Sequence, residues 1–148
     1  MVDRFKQFSF SIFEIYRCWH NLATQEMARY GLKGPYAIYL VALLECPDGL
    51  TAAELSSLCG RDKADVSRSV AALEEKKLVY RDAPNSYRAR LKLTELGTQA
   101  ADHVRRRVDV AVTCAGQGYD AQKRATFYEV LAAITDNLSQ LSRDGLPE

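Results

Sequence analysis

Two helix-start signals, Thr51-x-x-Glu54 and Asp62-x-x-Asp65, flank the glycine at position 60. In such a box the N-cap oxygen accepts from a free backbone N–H one turn on, and the acid at that turn reaches back toward the cap. The first signal opens a short helix with Leu55 and Leu58 as its apolar side, ending at Gly60. The second opens a helix whose Val66, Val70 and Leu73 recur at steps of four and three, which makes one buried stripe. So short a connection leaves a helix, a tight turn and a second helix as the arrangement to expect.

The segment after this helix pair reads as a ribbon. Leu78 to Arg81 forms a strand, Asp82-Ala83-Pro84-Asn85-Ser86 a turn, and the return strand alternates. Tyr87, Ala89, Leu91 and Leu93 share one face, and Arg88, Arg90 and Lys92 the other. Lys63, Ala64, Ser67 and Arg68 lie on or beside the side of the second helix away from its apolar stripe, near its N-terminus. The parts suggest a helix-turn-helix with a wing, whose second helix enters a DNA major groove by that end. Arg68 can reach guanine or phosphate, Lys63 and Ser67 phosphate, and Ala64 permits close approach or a thymine-methyl contact. The formal charge of the whole chain is +1, yet residues 61–92 carry +4 and the remainder −3. A basic patch on a near-neutral protein suits nucleic acid held at one surface; charge kept on a hairpin for solubility is the plainer alternative.

The flanking segments are helical. Phe5, Phe8, Ile12, Ile15, Trp19 and Leu22 form one stripe of a first helix, about residues 5–30, which Phe10 and Phe13 widen and Gly31 ends. A second helix, 35–45, is apolar nearly all round and belongs at the centre of the fold; Cys46-Pro47-Asp48-Gly49 turns out of it. After the ribbon a long helix starts at Thr94 with Leu96, Ala100, Val104, Val108 and Ala111 on its buried face, and Arg105 to Arg107 read as a solvated patch. Gly116-Gln117-Gly118 breaks the chain before a last helix, from about Asp120, with Phe127, Leu131, Ile134, Leu138 and Leu141 on one side. The first and the last two helices have no obvious place in a compact winged-helix core, so pairing with a second copy is expected to bury their stripes. The fold class is therefore mainly α with a small β wing (α+β). It comprises a winged helix-turn-helix lobe at 35–94 and dimerisation helices at 1–31 and 95–148, within a single domain of 148 residues.

Other classes find little support. No run of about 18 apolar residues is present, so no membrane span is expected. Residues 5–16 are interrupted by Lys6, Gln7, Ser9, Ser11 and Glu14, unlike a secretory stretch, which makes the cytoplasm the expected compartment. Cys18, Cys46, Cys59 and Cys114 are scattered, without a C-x-x-C pair, and are expected to be reduced packing residues, Cys59 buried. Cys18-x-His20 with the distant His103 is no zinc pattern. There is no nucleophile–His–acid pattern and no phosphate-binding glycine loop, so neither enzyme nor cofactor is expected.

With these elements in place the chain resembles the MarR family of winged-helix transcriptional regulators along nearly its whole length. The resemblance rests on L-T-A-A-E-L-S-S-L-C, on D-K-A-D-V-S-R-S-V-A-A-L-E-E-K-K-L-V, and on the closing L-K-L-T-E-L-G. It implies a homodimer on a pseudo-palindromic double-stranded operator, usually a repressor, often released by a small ligand. Two features depart from the family. The D-x-R of many wing tips falls on Asn85 and Tyr87, with Arg88 one residue later, and Lys77 stands where the family often has glycine. At the cysteine of the peroxide-sensing branch this chain has Ile12 rather than Cys18. An aromatic effector, if there is one, is expected between the dimer helices and the DNA-binding lobe, near Tyr16, Trp19, His20, Tyr36 and Tyr39; ordinary packing is the alternative for each.

Two function classes remain: a sequence-specific DNA-binding regulator, and a winged-helix module that docks a protein. The polar, basic face of Lys63, Ser67 and Arg68 favours the first, because protein hot spots are built on apolar and aromatic anchors.

Overall fold

The structure is a computed structural model that describes residues 3–4, 6–86 and 88–147; Phe5 of the first apolar stripe and Tyr87 of the return strand lie outside them. By internal packing the chain divides into two compact units, residues 1–108 and 109–148.

In the first unit, one π-helical turn (Lys6–Phe10) leads into α1 (Ser11–Met27), which tightens through Ala28–Tyr30 and stops at Gly31, φ 65°. Along α1 the stripe Phe8, Ile12, Ile15, Trp19 and Leu22 is exposed, and Met27 alone of the helix is buried. Gly34 opens a 3₁₀ turn (Gly34–Tyr36), and a Cβ there would come within 2.5 Å of Thr24 Oγ1, so the bare glycine is what lets this turn lie against α1. Then comes α2 (Ala37–Glu45), which buries Tyr39, Leu40, Ala42 and Leu43 but exposes Ile38.

The paired helices are α3 (Ala52–Cys59) and α4 (Lys63–Glu75). Leu55 is fully buried in α3, but Leu58 is 60% exposed and Cys59 takes the inner place expected for it. Residue 59 is one turn on from Leu55 and on the core side; residue 58 falls to the other side, a distinction that three- and four-residue spacing cannot make in two turns. In α4, Val66, Val70 and Leu73 are buried as the spacing requires, with Ser69 among them.

Strands β1 (Val79–Arg81) and β2 (Leu91–Leu93) pair antiparallel, Val79 opposite Leu93, Tyr80 opposite Lys92 and Arg81 opposite Leu91. Leu50 adds a one-residue third strand: its N–H donates to Leu91 O at 3.1 Å and it accepts from Leu91 N–H at 2.8 Å. The return strand is shorter than its alternation suggests. Past the Asp82 N–H to Arg90 O bond (3.0 Å), the tip folds into turns through Ser86 N–H to Ala83 O and Ala89 N–H to Ser86 O. Those local bonds satisfy backbone groups that a ladder would have used.

After Thr94 runs α5 (Glu95–Ala115), burying Gly97, Ala100, Ala101 and Val104; Leu96, expected inside, is half exposed. The close contact falls on Gly97, where a Cβ would stand 1.8 Å from Leu78 O, and this turns Leu96 outward. Met27 and Ala100, Ala101 and Val104 belong to the same core as Tyr39, Leu55 and Leu73. The flanking helices are thus not outside the lobe: the end of α1 and the start of α5 are built into it. Glu26 ties these two segments together, 2.8 Å from both His103 Nε2 and Arg107 Nε. The bonds to His103 and then Arg107 hold its carboxyl below the usual range.

In the second unit Gly118, φ 88°, turns the chain into α6 (Ala121–Asp144), whose start Asp120 caps by accepting from Lys123 N–H at 2.8 Å. The α6 stripe is present but uncovered in the single chain: Phe127, Leu131 and Leu138 are exposed, Ile134 and Leu141 half-buried. No described helix is long and apolar enough to cross a membrane.

Candidate nucleic-acid interface

The first capping box closes on itself. Thr51 N–H donates to Glu54 Oε2 at 2.8 Å and Glu54 N–H to Thr51 Oγ1 at 3.2 Å. Gly60, φ 61°, ends α3, and Asp62 caps α4 by accepting from Asp65 N–H at 2.7 Å. Here the second box departs from expectation: the Asp65 carboxylate does not return to its cap. Oδ2 accepts from the Tyr39 hydroxyl at 2.6 Å, and Oδ1 lies 3.8 Å from Arg68 Nη2. Aspartate is one methylene shorter than glutamate and finds these partners instead.

Lys63, Ala64, Ser67 and Arg68 are all exposed on the first turns of α4, away from buried Val66 and Val70, as the spacing requires. This end of the helix carries outward backbone N–H groups and the positive end of the dipole, which favours an anion.

The exit of α4 sets where the hairpin goes. Lys77 N–H donates to Glu74 O at 2.9 Å and Leu78 N–H to Leu73 O at 2.9 Å, a Schellman motif with Lys77 at φ 58°. Glycine is the easy residue there, so Lys77 carries a backbone strain that glycine would not. The Thr94 hydroxyl donates toward Lys77 O (2.7 Å), and its oxygen accepts from Gly97 N–H (2.9 Å). The L-T-x-x-G pattern thus has a mechanical meaning: threonine caps α5 and clamps the α4 exit, and glycine makes room for Leu78 O.

The three wing cations do not line up as a row. Arg88 is exposed in the tip, its N–H on Ser86 Oγ at 3.2 Å. Arg90 turns inward: Nη1 donates to Gly49 O at 2.7 Å and lies 3.6 Å from Glu54 Oε2, while its main-chain N–H donates to Asp82 Oδ1 at 2.7 Å. It braces the wing against the start of α3. Lys92 is half-buried beside Tyr80. Arg81 pairs with Glu74 at 3.0 Å, a second brace, to α4. The i,i+3 spacing of Asp65 and Arg68 could have revealed that pair in the sequence; Tyr39–Asp65 and Arg90–Gly49 join residues far apart in the chain and leave no such signal.

Of the five aromatic-site residues, Tyr16 and His20 stack on exposed α1, ring centroids 6.2 Å apart, and Trp19 is exposed on the same helix. Tyr36 is half-buried, whereas Tyr39 is fully buried with its hydroxyl committed to Asp65 and lines no accessible site. Burial first, and the bond to Asp65 second, push its phenol far above the ordinary range, so it stays a donor. All four cysteines are free, and burial pushes the Cys59 thiol up, away from thiolate reactivity. Among the described residues no group of three or more potential metal ligands comes together.

Known proteins share this fold. A family model described as MarR family matches residues 30–89. The structure is similar to that of the transcriptional regulator SlyA, with 25% identity and a TM-score of 0.80 over 88% of this chain and 92% of that one. It is also similar to a MarR family regulator from Listeria monocytogenes complexed with 26mer DNA (21%, 0.81, 93% and 95%). A third is the S. aureus MepR–DNA complex (21%, 0.78, 88% and 97%). Comparison with curated proteins found no match.

Proposed function

We propose that the chain is a DNA-binding transcriptional regulator of the MarR family, a homodimeric repressor that reads a pseudo-palindromic operator. The observation that carries the reading is the exposed first face of α4, where Lys63, Ala64, Ser67 and Arg68 stand together on a helix capped by Asp62. Arg68 reads a base edge, Lys63 and Ser67 hold phosphates, Ala64 lets the helix approach the groove, and Arg88 at the wing tip reaches the neighbouring minor groove. Arg90 and Lys92 contribute charge to the wing, Arg90 chiefly as its brace. That two structurally similar regulators are in complexes with DNA supports DNA as the partner of this chain.

A second copy accounts for the apolar faces that one chain leaves uncovered on α1 and on α6. Two copies related by a twofold axis present two recognition helices at about 34 Å, the spacing of successive major grooves. A small aromatic effector that stacks on the exposed rings of Tyr16, Trp19 and His20 and thereby releases the operator completes the reading.

Selection of bound genomic fragments followed by sequencing tests the reading. The expected outcome is one motif with two inverted half-sites, bound with an affinity that falls steeply with salt as counterions are released. Arg68→Ala is expected to cost about 1–3 kcal/mol and to relax the preference at one base pair. Recovery of no specific duplex overturns DNA reading, and equal loss on every duplex reassigns Arg68 to phosphate.

A further inference from the structure

The carboxylate of Asp65 sits between a fully buried donor and an exposed cation, and its oxygens take no part in the capping of α4. Asp62 alone supplies the cap, through Asp65's own N–H. Tyr39 comes from α2, its side chain immobilised in the core, and its hydroxyl donates to Oδ2 at 2.6 Å. That bond restrains the carboxylate. Oδ1 is left facing Arg68, which stands one turn further along the same helix at 3.8 Å and whose side chain is otherwise 69% exposed.

We propose that Tyr39 and Asp65 are positioning residues that hold the Arg68 guanidinium ready to read a guanine. The proposal rests on the DNA-binding function proposed for α4 and deepens it.

Entropy and repulsion each contribute a part. An exposed arginine is free to rotate about its whole stem, and ordering it on DNA costs side-chain entropy. A partner that already restrains one edge of the guanidinium lowers that cost, and the planar fork then offers its remaining donors together. Guanine is the base whose major-groove edge carries two adjacent acceptors, O6 and N7, and it accepts such a fork in bidentate fashion. The second part is repulsion. A phosphate that approaches the same guanidinium also approaches the negative charge of Asp65, and like charges at close range disfavour that contact. Asp65 therefore weakens the sequence-independent use of Arg68 while leaving the base-specific use intact. Tyr39 keeps the carboxylate from swinging onto some other donor.

The test is a fluorescence-anisotropy titration of the full chain against its selected duplex, against the same duplex with each G·C pair changed to A·T in turn, and against an unrelated duplex. The wild type and Arg68→Ala identify the guanine. Asp65→Asn removes the charge and keeps an acceptor oxygen for Tyr39. It is expected to lower the guanine preference about tenfold, a typical share of bidentate readout, and to tighten binding to the unrelated duplex. Tyr39→Phe, which leaves the charge but frees the carboxylate, should lower the same preference by a smaller factor. A purely structural role for Asp65 would weaken binding to all duplexes by one factor and leave the ratio unchanged, which overturns the proposal. So does an Arg68→Ala loss spread equally over every duplex. Were the wild type to prefer no duplex at all, the DNA-binding reading would fall and the proposal with it; a wild type that discriminates beside an unchanged Asp65→Asn ratio refutes the positioning role alone. Thermal melting of each variant accompanies the titrations, and Asp65→Asn decides the outcome even where Tyr39→Phe does not fold.

Discussion

Helices α3 and α4 begin with the same signal and end with the same backbone geometry, yet the two are built differently. At the start of α3, Glu54 folds back to close the box with Thr51; at the start of α4, the shorter Asp65 leaves its box open and takes Tyr39 and Arg68 instead. At the ends, both chains pass through the left-handed region, α3 at Gly60 and α4 at Lys77. Beside Gly60 there is open space, whereas the α4 exit is sealed by Thr94 and by Gly97 pressed against Leu78 O. Helix α3 has its capping groups closed on themselves. Helix α4, the proposed reading helix, has its carboxylate turned to a core tyrosine and a surface arginine, and its exit is clamped where the wing begins.

Substitutions at the two exits probe this contrast most strongly. Gly97→Ala drives a methyl group to 1.8 Å from a backbone oxygen, which side-chain rotation cannot relieve. Overpacking of that kind is expected to cost about 3 kcal/mol, read as a lowered midpoint in urea unfolding. At Gly60 the added methyl meets nothing within 4 Å, so only the left-handed backbone is penalised; Gly60→Ala should cost about 1 kcal/mol. An equal cost at both sites would mean that the α4 exit is no tighter than that of α3. Lys77→Gly is the mirror experiment. It relieves the left-handed strain but loosens the unfolded chain, and a net gain of roughly 0.5–1 kcal/mol is expected. Destabilisation instead would show that the lysine side chain contributes something its geometry does not reveal.

The smallest effect concerns pH. Thr51 backbone N–H first, its hydroxyl next, and Arg90 as a nearby charge hold the Glu54 carboxyl below the usual range. A depressed carboxyl contributes stability that is fully present above its unfolded value and fades as pH falls through the folded one. Wild type and Glu54→Gln should therefore differ in urea midpoint at neutral pH and converge on acidification below about pH 4. A difference that persists in acid would locate the contribution of Glu54 in its shape rather than its charge.

How much of the fold and of the α4 surface was legible in the sequence depends on how far apart the partners stand. The caps at Thr51, Asp62 and Thr94, the stops at Gly31 and Gly60, and the stripe Val66, Val70 and Leu73 are all local patterns within a turn or two, and the structure contains each. The special nature of Lys77 was visible only as a resemblance, as a lysine where glycine is common; the positive φ gives it a physical cause. Which side of α3 faces inward was not legible, because two turns present Leu58 and Cys59 almost equally and only the neighbours choose between them. The wing shows the same limit. Its alternation is real for Ala89 and Leu91, but Arg90 turned out to be a brace because Gly49 and Glu54 lie within its reach.

The sequence by itself determined where helices start and stop, which residues of α4 face outward, and that α1 and α6 each carry an apolar stripe. Those properties follow from backbone hydrogen bonding and a 3.6-residue repeat, both of which act over a few neighbours. Tertiary structure alone decided that Met27 and Ala100 share a core with Tyr39, that Arg90 supports the wing, and that Asp65 stands between a buried hydroxyl and an exposed guanidinium. Such pairings depend on which segments the collapsed core brings within hydrogen-bonding distance, and no local rule of spacing encodes that proximity.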